Sequence, residues 1–194
     1  IELDTIADFY INTICCNKYI YTLENNKKIS LEFDKTNLCH LLAIHKYNND
    51  FKLKHDYEGL GGFNNIKNKI LTMSKLIKNQ SVFGQCKNRI IYFPLLPKLL
   101  KDPSFIYFDK NIVSGKCIIR SSIVLHKKYD QFKYRIHLFA DMENEDKYYP
   151  VTFIIHKNTK YIDNQELVNI KNVEIIPLIE PNIVEAKKQI ASGL

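Results

Sequence analysis

The chain lacks any run of roughly 18 uninterrupted apolar residues, so the sequence offers no bilayer-spanning helix and no membrane partner is expected. Nor does it carry an even, regularly spaced set of cysteines. Cys15 and Cys16 are adjacent, Cys39, Cys86 and Cys117 are scattered, and no C-x-x-C pair occurs, which argues against a zinc ribbon and for a reducing, cytoplasmic setting. The first residues carry the acids Glu2, Asp4 and Asp8 where a secretory signal would be basic and then apolar. Ile1 rather than Met stands first, consistent with a removed segment before it. There is no repeat period, no low-complexity tract and no linker that would split the chain.

What is present is a chain of 194 residues with 45% hydrophobic and 25% charged residues, the composition of one soluble globular domain. A net charge of +7 and a pI near 9.0 favour a polyanionic partner such as nucleic acid. The abundance of Ile, Asn and Lys resembles AT-rich coding of a low-GC bacterium or its phage.

Apolar spacing predicts a helix over about 1–17, then a hairpin around Glu24 to Lys28. A helix capped by Asp34 or Thr36 follows and ends at Tyr47 to Asp50. The glycines of "EGLGGF" read as a flexible loop, and Asn64 to Asn79 as a basic amphipathic helix. From about Phe105 the runs "SFIYFD", "KCIIRSSIVLHK", "KYRIHLFADM" and "YYPVTFIIHK" read as strands, and "KNVEIIPLI" as a last strand after a short helix near Asn164 to Val168. The expected fold is α+β, with N-terminal helices packed on a C-terminal twisted antiparallel sheet of four to five strands. It forms a single domain over 1–194: a helical half to about 103, a β-rich half over about 104–180 and a short tail.

Strand residues alternate faces, and parity gives each run one apolar and one basic face. The apolar side takes Ile123 and Leu125, then Ile136 and Leu138, then Tyr149, Val151, Phe153 and Ile155. The other side gathers Lys116, Arg120, Ser122, His126, Lys133, Arg135, His137, Thr152 and His156, with Tyr148, and no acid is expected among them. Aligned registers place His137 between Ser122 and Thr152. A solvated face also carries such residues, but one that serves only solubility usually mixes both signs.

In "TNLCHLLAIHKY" two histidines lie five apart with no acid between them, which fails the spacing of a zinc-protease helix. Five residues turn about 140° on a continuous helix, so His45 is expected on the apolar stripe of Leu38, Leu41 and Leu42, and His40 on another face. His45 reads as a buried histidine with satisfied ring nitrogens and His40 as a half-exposed one, yet either can transfer protons near neutral pH.

"NLCHLLAIHKY" after a hairpin, then a basic helix, then "YYPVTFII" late in a sheet, resembles the fourth family of phage-associated Barnase, EndoU, colicin and RelE nucleases, over roughly Tyr19 to Leu178. The resemblance implies a metal-independent endoribonuclease of toxin or mobile-element type that needs no cofactor. Its partners would be RNA, with tRNA and mRNA as candidates, and an antitoxin or immunity protein. It carries over His40, the leading histidine of the motif, and notes Ala43 where members usually have Gly.

In such chemistry the 2'-hydroxyl attacks its own phosphate and leaves a 2',3'-cyclic phosphate; the enzyme supplies a base, an acid and stabilising cations. The catalytic candidates are therefore His40, His137, Arg120, Ser122 and Thr152, and the phosphate-binding candidates Lys116, Arg135, His126 and His156, with no metal ligand. A phosphate can touch both His40 and the basic face only if the histidine helix sits at the sheet's edge. The competing readings are a non-catalytic nucleic-acid-binding or anti-defence protein, and an ADP-ribosyltransferase-like toxin with Glu174 as its strand glutamate.

Overall fold

A computed structural model describes residues 2–47 and 55–178. The short tail after 180 and the stop at Asn48 to Asp50 lie outside the described residues. The first helix, α1 (Leu3–Tyr10), turns Leu3, Ile6, Ala7 and Tyr10 inward, the i, i+3, i+4, i+7 pattern of one buried face. It runs on into a π-helical turn, Ile11–Cys15. The hairpin follows as β1 (Asn17–Leu23) and β2 (Lys28–Glu32), with Tyr19, Tyr21, Leu23, Ile29 and Leu31 buried in alternation. Asn26 takes the left-handed turn position at φ 64°, a conformation Asn tolerates better than most residues.

Five further helices come next: α2 (Leu38–Leu41), α3 (Gly59–Lys67), α4 (Met73–Lys78), α5 (Gln80–Tyr92) and α6 (Leu96–Lys101). The basic helix expected from Asn64 to Asn79 is thus two helices, α3 and α4. The expected glycine loop is the start of α3. A Cβ on Gly62 would lie 2.6 Å from the Tyr57 carbonyl carbon and 2.8 Å from the Cys39 sulfur, and one on Gly61 would collide with the His55 carbonyl. These glycines let the 55–58 segment and α2 close down on α3; they provide proximity rather than flexibility.

The remaining strands are β3 (Ser104–Tyr107), β4 (Ile123–Lys128), β5 (Arg135–Met142), β6 (Lys147–His156), β7 (Glu166–Val168) and β8 (Ile170–Pro177). The fold is α+β, but the expected four- to five-stranded antiparallel sheet is wrong. All eight strands form one curled mixed sheet in the order β7-β3-β4-β5-β6-β2-β1-β8. The N-terminal hairpin enters it through a short parallel pairing, Ser30 with Lys147 and Leu31 with Tyr148, and β8 pairs with β1. A strand, not a helix, occupies 166–168. Only Asn169 separates β7 from β8, so the two edge strands are consecutive in the chain, and the Asn169 carbonyl accepts from the Glu24 N–H.

The helices pack on one side of this sheet in a continuous core. The Tyr21 hydroxyl donates to the Leu100 carbonyl at 3.0 Å, and Tyr10 donates to the Asp34 carbonyl at 2.9 Å, tying α1 to the start of the histidine segment. The opposite side is not the wet basic face that parity implied. Ile106, Phe108, Val113, Val124 and Phe139 form a second apolar cluster, covered by Cys117, Ile119, Tyr161 and Ile162 from two loops. A bulge between Phe139 and Ala140 pairs these with Thr152 and Pro150, leaving Val151 over, and this reverses the faces earlier in β6. Tyr148 therefore points into the core, while Tyr149 is exposed and Val151 joins the outer cluster.

Candidate functional site

The histidine segment is not one helix. Asp34 caps a short 3-10 turn (Lys35–Asn37) by accepting from the Thr36 N–H, and α2 then lasts only to Leu41. Ala43 takes φ 61°, a left-handed position that favours Gly, and a second 3-10 turn (Ile44–Tyr47) begins. The break resets the helical phase, so His40 and His45 do not diverge as a continuous helix requires. Their rings stack at 4.2 Å between centroids and 29° between planes.

His45 Nδ1 lies 3.4 Å from the Cys39 carbonyl, which as acceptor fixes the proton on Nδ1 and leaves Nε2 with its lone pair. Burial, and then the neighbouring His40, push the His45 pKa down to about 4, so this ring is neutral at pH 7. His40 is more open, its side chain 44% exposed, and its Nε2 is 4.0 Å from a carboxylate oxygen of Glu58, the residue before α3.

Arg89 joins these groups to the sheet. It flanks the buried stripe of Val82, Cys86 and Ile90 on α5. Its Nη1 donates to the His40 and Leu41 carbonyls at 3.4 and 3.3 Å, at the end of α2, and to the Thr152 hydroxyl at 2.8 Å. Thr152 belongs to the stretch of β6 beyond Tyr148, where the pairing with β2 has ended. The helices thus meet the sheet at its opened edge. Among the described residues no carboxylate pairs with Arg89, whose charge is mostly buried, and Tyr161 lies within its electrostatic reach.

Of the residues singled out in the sequence, the structure brings His40 and Thr152 together through Arg89. A second group forms on the outer face of β4 to β6. His126 faces His137 across the pairing, with ring centroids 6.1 Å apart, and Arg135 Nη1 donates to His126 Nδ1 at 3.2 Å. His156 pairs with Arg135, and Tyr161 sets its edge against both His137 and His156. His137 is fully buried, and neither ring nitrogen makes a hydrogen bond, the backbone of Ile154 being near but outside bonding geometry. Burial first, then the charges of His126 and Arg135, lower its pKa to about 3, and burial with Arg135 lowers that of His126 to about 4.

Lys116, Arg120 and Ser122 stand apart. The first two are exposed on a segment without regular structure ahead of β4. The Ser122 hydroxyl donates to the carboxylate of Asp141, four residues along β5 from His137, or about 13 Å. Asp141 also corrects the expectation of an outer face without acids. Sequence reasoning missed Arg89, Glu58 and Tyr161. Only Arg89 left a signal, as a cation beside an apolar helical stripe. Among the described residues no group of three or more His, Cys, Asp or Glu side chains is placed to hold a metal ion, and no helix is long and apolar enough to cross a membrane.

The molecule is an α+β protein with imidazoles and a guanidinium gathered where helices meet an open sheet edge. The model of the PBECR4 family, described as phage-Barnase-EndoU-ColicinE5/D-RelE like nuclease4, matches residues 2–188. The chain belongs to this nuclease family. No curated protein and no solved structure matches it.

Proposed function

We propose that the protein is an endoribonuclease that cleaves RNA by attack of the 2'-hydroxyl on the adjoining phosphate, at the site formed by His40, His45, Arg89 and Thr152. The observation that carries this reading is Arg89: a mostly buried guanidinium held by two carbonyls and a hydroxyl, so that it is positioned without being neutralised. A buried cation of this kind is matched by an anion from outside, and the planar fork suits phosphate oxygens. Neutral His45 takes the 2'-hydroxyl proton through Nε2. The 2'-oxygen bonds to phosphorus, and the leaving 5'-oxygen takes a proton from His40, whose Nε2 lies 4.0 Å from the Glu58 carboxylate. Arg89 and the Thr152 hydroxyl face the charge that builds on the phosphoryl oxygens.

Total RNA incubated with the protein in EDTA is expected to be cut into discrete fragments, with single-stranded DNA of the same base sequence left intact. RNA that is bound but uncut would replace this reading with that of a non-catalytic nucleic-acid binder.

A further inference from the structure

The second basic group has the same construction as the first. Across β4, β5 and β6 the pairing aligns Lys128 with Arg135 and Arg135 with His156, so three basic side chains stand in one row on the outer face. Neighbouring strands are about 4.8 Å apart, and the row is therefore about 10 Å long. Lys128 is exposed, and Arg135 and His156 are half-buried.

Arg135 is held from below by a neutral acceptor, His126 Nδ1 at 3.2 Å, just as Arg89 is held by carbonyls and a hydroxyl. Among the described residues it has no carboxylate within ion-pair distance. Among the described residues, the acid whose charge reaches it is Asp163, which accepts from the Thr159 hydroxyl at 3.0 Å. His156 Nδ1 accepts from the Asn158 N–H at 3.3 Å, which places a ring proton on Nε2. Among the described residues, no carboxylate forms an ion pair with the row.

Its position relates it to the first site. Thr152 and His156 lie on the same face of β6, four residues or about 13 Å apart, with Tyr161 between the row and Arg89. We propose that the Lys128–Arg135–His156 row binds the backbone phosphate of a nucleotide flanking the one held at Arg89, so that the substrate is a single strand of several nucleotides. This rests on the nuclease reading for its biological sense, but its binding test does not.

The probe is a ten-nucleotide all-deoxy single strand, uncleavable by 2'-hydroxyl attack, with binding followed by fluorescence anisotropy against salt. Arg135→Gln is expected to weaken binding about tenfold at low salt and to reduce the salt slope by about 0.7, one phosphate contact on a single strand. Lys128→Gln, at an exposed position that does not endanger the fold, should move both in the same direction, and Lys171→Gln on β8 should change neither. Wild-type affinity and slope in both row variants would overturn the proposal. Row-dependent binding by a protein that leaves RNA intact would overturn the nuclease reading and keep the row, whereas cleavage with row-independent binding would do the reverse.

Discussion

Arg89→Gln is expected to lower RNA cleavage by about 10²- to 10³-fold while the protein stays folded. The amide can still donate to Thr152 or to the end of α2, so much of the local scaffold survives. What disappears is a permanent charge in a mostly buried position, where it interacts with a phosphoryl anion far more strongly than in water. Arg89→Lys restores the charge without the fork and should recover only part of the rate, because one ammonium cannot serve the α2 carbonyls, the Thr152 hydroxyl and a phosphate at once. Single-turnover rates, with circular dichroism to confirm the fold, decide the point. A glutamine variant within threefold of the parent would remove Arg89 from the chemistry.

His137→Leu is expected to stabilise the protein by about 1–3 kcal/mol at pH 7 and to change how it responds to acid. The parent holds an imidazole with two unpaired nitrogens among Phe139, Tyr161 and Ile154, where a similar apolar volume avoids that cost. In the folded protein the pKa values of His137 and His126 are depressed to about 3 and 4, below the ordinary value of 6.5. The unfolded chain therefore binds more protons. The contribution is complete above pH 6.5 and is lost as the pH falls toward those depressed values. Each histidine removes up to about 1.4 kcal/mol per pH unit in that window, or about 3 for the pair. Urea titrations between pH 7 and pH 4 should show a steep loss in the parent and roughly two-thirds of that slope in the variant, because His126 and His45, the latter also depressed to about 4, still titrate. An unchanged slope would mean that His137 does not titrate with unfolding.

Parts of this architecture are legible in the sequence because they are local. The alternation of Tyr19, Tyr21 and Leu23 against Ile29 and Leu31 marks the hairpin, and the β-rich runs mark β4, β5 and β6. His40 stands out by motif. The parallel pairing of β2 with β6 rests on two residue pairs more than a hundred positions apart, and no local pattern encodes it. Without that pairing the hairpin reads as an appendage to helices, and the sheet is undercounted.

Two single-residue events mislead parity and helical phase. The bulge at Val151 exchanges the faces of Tyr148 and Tyr149, and the left-handed Ala43 brings His45 onto His40. The Gly that relatives carry at that position by resemblance is what a left-handed residue favours. The outer face looked open because its cover comes from loops: Val113, Cys117 and Ile119 on one, Tyr161 and Ile162 on the other. Arg89 was missed for a related reason. Its partners are backbone carbonyls on α2 and a hydroxyl on β6, and only the fold brings these together.

The most direct measurement is the mass of the ends produced from one defined RNA oligonucleotide, with the parent protein and with His40→Ala. Cleavage by 2'-hydroxyl attack gives 2',3'-cyclic phosphate facing a 5'-hydroxyl, in amounts expected to fall sharply in the variant. Fragments ending in 3'-hydroxyl and 5'-phosphate, or the same yield of cyclic ends without His40, would contradict it.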